Sequence, residues 1–383
     1  MSDWKECTIG ELCETQTGPF GSQLHNEDYV DNGTPIVTVE HLGSKNFTNQ
    51  NLPCVSDNDK ERLSKYILKE GDIVFSRVGS VDRCSYVSNL NNGWLFSGRC
   101  LRIRSKDKNA LNDQFIYYHF CNPKIKTFIR NIAVGATMPS INTKLMNEVP
   151  ISLPPLTVQK KIAGILSALD EKIETNRKIN ARLEEMAHAI FKSWFIDFTP
   201  FGGQMPSDWE LKPIDEVYSI KYGKNISKSE LSDNGYPVYG ANGIIGFTDK
   251  CNVNKIVTLI TSRGNGSGEV SYTRDKDAFI TNNSFIVSPL SYYKYLSFPY
   301  IFQSFLRIDF KSFCSGSAQP QLTNTSISSL SIMVPTKDII DKFTQLCGAF
   351  YEKIFSLYKE SARLGELRDA LLPKLMSGEI KIE

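Results

Sequence analysis

The sequence predicts an α+β chain: two similar globular domains separated by two long antiparallel coiled-coil helices, in an internal repeat with approximate two-fold symmetry. Three observations predict it. Apolar Ile162, Leu166, Leu169, Ile173, Leu183, Ala187, Ile190 and Trp194 recur in alternating steps of four and three, with gaps at Asn176 and Asn180. That is the spacing of a coiled-coil seam from Val158 to about Phe195. A second stretch, Phe343 to Leu375, repeats the pattern at an offset of 181 (162 to 343). Phe343, Cys347, Phe350, Ile354, Leu364 and Leu371 fall on Ile162, Leu166, Leu169, Ile173, Leu183 and Ile190. The opening Ser2-Asp3-Trp4, followed by Ile9, Glu11, Leu12 and Gly18, recurs at an offset of 205 (4 to 209). The second copy is Ser207-Asp208-Trp209, followed by Ile214, Glu216, Val217 and Gly223.

These offsets divide the chain into a first domain (1–150), a first spacer helix (151–199), a second domain (200–334), and a second spacer helix with its tail (335–383). A length of 383 residues exceeds one ordinary core, and 41% apolar with 11% aromatic residues suffices to build several. In the first domain Ile36 to Val39, Asp72 to Phe75, Tyr86 to Val87 and Leu101 to Arg104 read as strands between Gly/Asn/Asp/Ser clusters. Asn112 to Arg130 reads as a helix carrying Phe115, Tyr118, His119 and Phe128. In the second, Pro237 to Tyr239, Lys255 to Thr261, Glu269 to Tyr272 and Ala278 to Val287 read as strands. Tyr292 to Phe310 reads as a helix that Pro299 interrupts. The offset drops to 202 at Pro35 and Pro237 and to 186 at Ser76-Arg77 and Ser262-Arg263, so the second domain is the shorter.

Each domain closes on a similar phrase, Gly135-Ala136-Thr137-Met138-Pro139 leading to Pro154, and Gly316-Ser317-Ala318-Gln319-Pro320 leading to Pro335. Thr157 and Asp338 then stand where N-caps are expected. The first helix can run to about Phe198, before Pro200, Gly202, Gly203 and Pro206. Pro373 kinks or stops the second, with Gly378 soon after. If each domain ends near its own start, the second helix runs back along the first. A helix from Val158 to Phe195 is a rod of roughly 57 Å, suited to holding two modules apart on a two-part DNA site, whose half-sites lie on the order of 34 Å apart per duplex turn.

Composition and motifs remove most chemistry. Net charge is +2, so any basic surface must come from clustering. Nine scattered cysteines without a C-x-x-C pair read as reduced structural thiols, and four histidines without H-x-x-x-H spacing give no metal site. No apolar run of eighteen residues and no signal-peptide pattern occurs, so a cytoplasmic location without membrane contact is expected. The P-loop pattern is missing. The one Pro-Pro, in Leu153-Pro154-Pro155-Leu156, lacks the amide and aromatic partners of an amino-methyltransferase loop. Gly264-Asn265-Gly266-Ser267-Gly268-Glu269 carries Glu where a dinucleotide fingerprint needs glycine, and reads as a flexible loop. No catalytic residue and no cofactor-binding residue is assigned.

The combined pattern resembles the specificity subunit of type I restriction-modification enzymes. The resemblance rests on the two Ser-Asp-Trp openings, on Ile151-Ser152-Leu153-Pro154-Pro155-Leu156 with Gln159-Lys160-Lys161-Ile162, and on Asn180-Ala181-Arg182-Leu183. Phe191-Lys192-Ser193-Trp194-Phe195-Ile196-Asp197-Phe198 and Leu371-Leu372-Pro373-Lys374-Leu375-Met376-Ser377-Gly378-Glu379-Ile380 complete it. It implies two target-recognition domains, each reading half of a bipartite double-stranded DNA site, and helices that act as a ruler and dock two methyltransferase subunits. Those partners would carry S-adenosylmethionine and methylate adenine, and restriction (motor-nuclease) subunits would join for cleavage. This chain would select the site without catalysing the reaction.

The resemblance carries no base contact, so the DNA-facing residues come from chemistry alone. In the first domain they are Thr17, Phe20, Ser22 and Gln23 in a glycine-rich loop, and Arg77 and Ser80 in a turn. Lys124, Lys126, Arg130 and Lys144 would meet backbone phosphates. In the second domain they are Tyr222, Lys224, Asn225, Asn242, Arg263 and Asn265. Arg77 leads, because Arg263 is its counterpart after an equivalent strand and Arg can grip guanine or phosphate with two bonds. The bland reading pairs these arginines with Asp72, Asp82 or Glu269. Arg99, Arg102 and Arg104 fit either a DNA face or a solvated strand edge. A different class of function, a protein-binding scaffold with two globular ends and no DNA role, draws support from the near-zero charge. A hydrolase or transferase finds no motif.

Overall fold

The computed structural model describes residues 4–19, 23–316 and 320–382. Two compact units form, unit 1 within residues 1–174 and 362–383 and unit 2 within 175–361. Unit 1 contains strands β1 (Lys5–Thr8), β2 (Cys13–Thr17), β3 (Tyr29–Val30), β4 (Thr34–Val37), β5 (Cys54–Val55), β6 (Ile73–Ser76), β7 (Cys84–Tyr86), β8 (Leu95–Phe96), β9 (Cys100–Ser105) and β10 (Pro150–Leu153). Its short helices are α1 (Ile9–Leu12), α2 (Asp57–Arg62), α3 (Asp113–Cys121), α4 (Pro123–Ile132) and α5 (Thr143–Asn147). The long α6 (Leu156–Phe195) leads on to unit 2. There lie β11 (Glu210–Pro213), β12 (Tyr218–Tyr222), β13 (Tyr236–Gly240), β14 (Gly243–Thr248), β15 (Val253–Asn254), β16 (Thr258–Thr261), β17 (Val270–Tyr272), β18 (Asp277–Ile280), β19 (Ser284–Pro289) and β20 (Ser331–Val334). α7 (Ile214–Val217), α8 (Phe298–Leu306), α9 (Asn324–Ile327) and the long α10 (Lys337–Met376) complete the order.

The plan is the same twice. Unit 1 has sheets β2-β9-β6-β7 and β3-β5-β4-β8, and unit 2 has β12-β19-β16-β17 and β14-β13-β18-β15. In each, a two-stranded antiparallel pair ties the opening strand to the strand that feeds a long helix, β1 to β10 (Lys5 opposite Leu153) and β11 to β20 (Glu210 opposite Val334). Each unit therefore returns to its own start. The β1–β10 and β11–β20 pairs were not legible in the sequence, because all four segments are short.

The seam residues lie on the packed side of their helices. In unit 1, Ile162 and Leu166 are buried in one core with Leu372, Leu375 and Met376, and half-buried Leu371 packs against it. Arg368 Nη1 donates to Asp170 at 2.7 Å, and Tyr118 Oη donates to the same carboxylate at 2.6 Å. In unit 2, Phe343 and Ile354 are buried with Ala187, Phe191 and Phe195, flanked by Leu183, Ile190, Trp194 and Phe350. The Phe195 ring stands 5.1 Å from Phe343 and 5.0 Å from Tyr300. Leu169, Ile173 and Leu364 are half-buried. Within each unit the segments of α6 and α10 run in opposite directions. At the seam gap Asn176 is fully buried and its Nδ2 donates to Glu360 Oε2 (2.8 Å) and Ser361 Oγ (3.2 Å).

Several local expectations change. Thr157 and Asp338 are not caps: the helices begin at Leu156 and Lys337, and the carbonyls of Pro155 and Thr336 accept from Gln159 N (3.0 Å) and Ile340 N (3.2 Å). The helix expected over Asn112 to Arg130 is two, because Asn122 caps α4 through Lys124 N and Pro123 takes its first position. Pro299 likewise sits in the first turn of α8, just after Phe298, rather than interrupting a longer helix. The strand expected over Ala278 to Val287 is β18 and β19 around a turn. Pro373 does not stop α10, since Leu372, Leu375 and Met376 are buried around it and offset the lost backbone bond. The first long helix ends at Phe195, and Phe198 adopts a left-handed φ of 50°.

Candidate nucleic-acid interface

Chain turns converge at one end of the sheets, and the same backbone bonds build this cluster in both units. In unit 1, Gly18 N donates to Cys100 O (3.1 Å), Ser97 N to Val37 O (2.8 Å), Arg77 N to Arg99 O (2.8 Å), Gly79 N to Pro139 O (2.8 Å) and Ile141 N to Arg77 O (2.9 Å). In unit 2 the matching bonds are Gly223 N to Ser284 O (3.0 Å), Thr281 N to Tyr239 O (3.0 Å), Ser262 N to Asn283 O (2.8 Å), Gly264 N to Pro320 O (3.1 Å) and Leu322 N to Ser262 O (2.9 Å). Glycine is required at the first position. A Cβ on Gly18 would come 2.1 Å from Ser97 O, and one on Gly223 2.3 Å from Ile280 O and Thr281 O.

This register corrects the pairing of the arginines. Ser76 stands opposite Cys100 and Thr261 opposite Ser284, so the counterpart of Arg77 is Ser262 and that of Arg263 is Val78. One residue along a strand turns a side chain to the other face. Arg77 is half-buried with Nη1 donating to Gly98 O (3.4 Å), whereas Arg263 is exposed. Thr17 and Tyr222, by contrast, are true equivalents at the ends of β2 and β12.

Among the unit 1 candidates, Phe20 and Ser22 lie outside the described residues. Gln23 is exposed but its Oε1 accepts from Tyr66 Oη at 2.5 Å, which makes it a tether of α2's end. Ser80, Lys124 and Lys144 are exposed, Thr17 and Lys126 half-buried. Arg130 donates to Asp82 Oδ2 at 2.8 Å, so its charge is offset and it anchors α4 to the turn after β6. The other arginines fold inward. Arg104 grips Asp72 with two bonds (2.7 and 2.6 Å), and Arg102 is buried over the Phe96 ring. Burial and then Arg104's charge lower Arg102's proton affinity. β9 is an inner strand, so neither the DNA face nor the solvated edge describes Arg102 and Arg104, while Arg99, just before β9, is exposed.

In unit 2 the candidates gather. Tyr222, Lys224, Asn225, Asn242, Arg263 and Asn265 are all exposed. Tyr222 leans on Phe285 with ring centroids 4.3 Å apart, and Lys224 bridges Thr281. Asn242 sits against the next turn, where a Cβ on Gly266 would meet its Oδ1 at 3.3 Å. Beside them runs a groove lined by Ser219, Lys221, Tyr222, Lys224, Asn254 and Lys255. None of its three lysines has an acidic partner within 4.0 Å among the described residues, while Glu269 nearby is held by Lys311 at 3.3 Å. Lys221 and Lys255 were missed. The alternation Ser219-Ile220-Lys221 in β12 marks the former as solvent-facing, but nothing local marks Lys255, which a loop brings in.

No helix is long and apolar enough to cross a membrane, and no group of three metal-ligating side chains is gathered among the described residues. The sequence profile described as "Type I restriction modification DNA specificity domain" matches residues 1–185 and 206–350. The chain is 28% identical to the type I restriction enzyme MjaIX specificity subunit of Methanocaldococcus jannaschii, across 100% of this chain and 94% of the relative. It is 24% identical to the HindI specificity subunit of Haemophilus influenzae, across 99% and 100%. The fold is similar to a crystal structure of the type I restriction-modification S subunit from M. genitalium, with TM-score 0.60 at 20% identity over 98% of this chain and 96% of that one. With two copies of the profile, one on each unit, the chain belongs to the family of type I restriction-modification DNA specificity subunits.

Proposed function

We propose that the two units read the two halves of a split duplex site, and that the chain does so as a non-catalytic subunit in complex with two methyltransferase subunits, which bring S-adenosylmethionine. Restriction subunits would join through them for cleavage. The observation that carries this reading is the duplicated turn cluster. One backbone frame, bonded alike in both units, presents different side chains: Arg77, Arg99 and Ser80 in one, and Lys224, Asn242 and Arg263 in the other. A shared frame with different polar ends suits two different half-site sequences, because phosphate contacts position the protein and base-edge contacts specify sequence.

The lysine groove supplies the electrostatic part in unit 2 despite the overall charge of +2. The two helices of 40 residues each are the parts whose length would set the gap between halves. Reconstitution with the methyltransferase subunits, followed by mapping of methylated adenines on a genome, should return a motif with two specified halves and an unspecified middle. An unsplit motif, or DNA binding indifferent to salt, would sink the proposal.

A further inference from the structure

The two units differ in the connection between β4 or β13 and the antiparallel strand beside it, β5 in unit 1 and β14 in unit 2. After β13, unit 2 makes a hairpin: β14 returns antiparallel, with Tyr239 opposite Ile244, Gly240 opposite Gly243, and a bulge between Val238 and Tyr239. After the equivalent β4, unit 1 instead coils into a 3-10 turn, Val39–His41. That turn is locked by the buried His41 ring, whose Nδ1 lies 3.0 Å from Thr38 N and whose Nε2 lies 3.0 Å from Gln50 O. β14 is an edge strand, and among the described residues its outer edge is bonded only at the far end, where Ser232 and Phe247 exchange backbone bonds (2.8 and 3.1 Å). Towards the turn, Gly243-Ile244-Ile245-Gly246 carries no charge and leaves Ile244 46% and Ile245 50% exposed. Free sheet edges are ordinarily blunted by charge or proline. Two uncovered isoleucines next to a polar cluster call for an apolar partner, and a bulge beside them is a common device for re-aiming side chains at a site.

The neighbouring strands identify that partner. At this end of the sheet the order is Ile244, Tyr239, Thr281, Lys224, each bonded to the next. Three strand spacings of about 4.8 Å place Lys224 roughly 14 Å from β14. A duplex major groove is about 12 Å wide, admits a two-stranded β-ribbon, and is bordered by phosphates. We infer that the β13–β14 hairpin is the base-reading element of unit 2. It lies in the major groove with Asn242 at its turn and Ile244 on its open flank, while Lys224 meets the bordering phosphates. An asparagine amide matches adenine N6 and N7, and an isoleucine packs on a thymine methyl. The half-site read by unit 2 therefore contains an adenine and a thymine close together. This rests on the proposed reading of DNA halves and adds which element reads one of them.

The test uses the full chain with its methyltransferase subunits on a random-sequence duplex library, scoring methylated products for wild type, Asn242→Ala, Ile244→Ser and Ile244→Val. Discrimination at one position should fall about 5- to 150-fold for each of the first two, with the other half of the motif unchanged and Ile244→Val close to wild type. Unchanged motifs in both variants overturn the inference while leaving the two-half reading intact. Uniform weakening on every sequence also overturns it, as the hairpin would then touch only backbone. So does loss of methyltransferase co-purification with DNA binding retained, which would make it a protein-docking edge. A wild-type motif without two halves removes the underlying reading as well.

Discussion

Replacing Asp72 with Asn should loosen the sheet that carries unit 1's turn cluster. The Asp72 side chain is 1% exposed, and both oxygens are used. Oδ1 accepts Arg104 Nε at 2.7 Å, and Oδ2 accepts Arg104 Nη2 at 2.6 Å and the Lys69 backbone N at 2.7 Å. Asparagine keeps one acceptor but turns an NH₂ group towards the guanidinium and leaves Arg104 uncompensated beside buried Arg102. Breaking a buried pair costs about 3–5 kcal/mol, and partial exposure of Arg104 places this case near 3–4 kcal/mol. Hydrogen exchange of the slowest amides in β6 and β9 reads that loss directly, as exchange roughly 150- to 900-fold faster. Asp72→Asn combined with Arg104→Met should recover most of the loss, since no uncompensated guanidinium remains and the asparagine oxygen can still accept from the Lys69 backbone N. Acceleration below about 5-fold (~1 kcal/mol), or a double variant as poor as the single, would refute the reasoning.

Other consequences are as direct. Substituting Lys221, Lys224 and Lys255 together with Ala should weaken DNA binding on all sequences and flatten the salt dependence by about 0.9 per lost phosphate contact, measured by titration of the complex at several salt concentrations. An unaltered slope would remove the groove from the interface. Gly223→Ala, whose methyl group would meet two backbone carbonyls 2.3 Å away, should cost unit 2 about 1–3 kcal/mol and lower its melting temperature, leaving β6 and β9 exchange unchanged. Burial depresses His119 from 6.5 to about 4 in the folded chain. The unfolded chain therefore takes up the proton first, and stability present above pH 6.5 is lost as pH falls towards 4, by about 2 kcal/mol between pH 7.5 and 5. In urea titrations at both pH values His119→Phe should show a smaller drop, and an equal drop would contradict the burial argument.

Long-period features were legible in the sequence because they repeat. Ile162, Leu166, Phe343 and Ile354 are buried as the seam spacing requires, and the offset between Gly18 and Gly223 survives as an identical bond to the next strand. Features decided by one residue were not. Ser76-Arg77 and Ser262-Arg263 look like counterparts by eye, yet loop lengths between the copies changed, and only the ladder register shows Arg77 matching Ser262. Arg102 and Arg104 read as surface charges because sequence does not say that β9 is an inner strand. Lys255 reaches the groove through tertiary placement alone, and the tight β13–β14 hairpin could not be inferred from the first copy, where β5 holds the same place beside β4 but only after a long loop.

The amide at the seam gap also penalises misalignment during folding. Sliding α10 by seven residues along α6 keeps most leucine-for-leucine contacts of a heptad pattern, so apolar packing alone discriminates weakly between registers. Asn176 changes that. In the native pairing its Nδ2 has Glu360 and Ser361 as acceptors. Seven residues either way those two positions would hold Lys353 and Ile354 or Leu367 and Arg368, none of which has a side chain that can accept from the amide, so both bonds would be lost. At about 1–3 kcal/mol for each unsatisfied buried group, a slipped pair would be scarce at equilibrium, so one polar residue acts as an error check on a helix pair that hydrophobicity would otherwise leave free to slide.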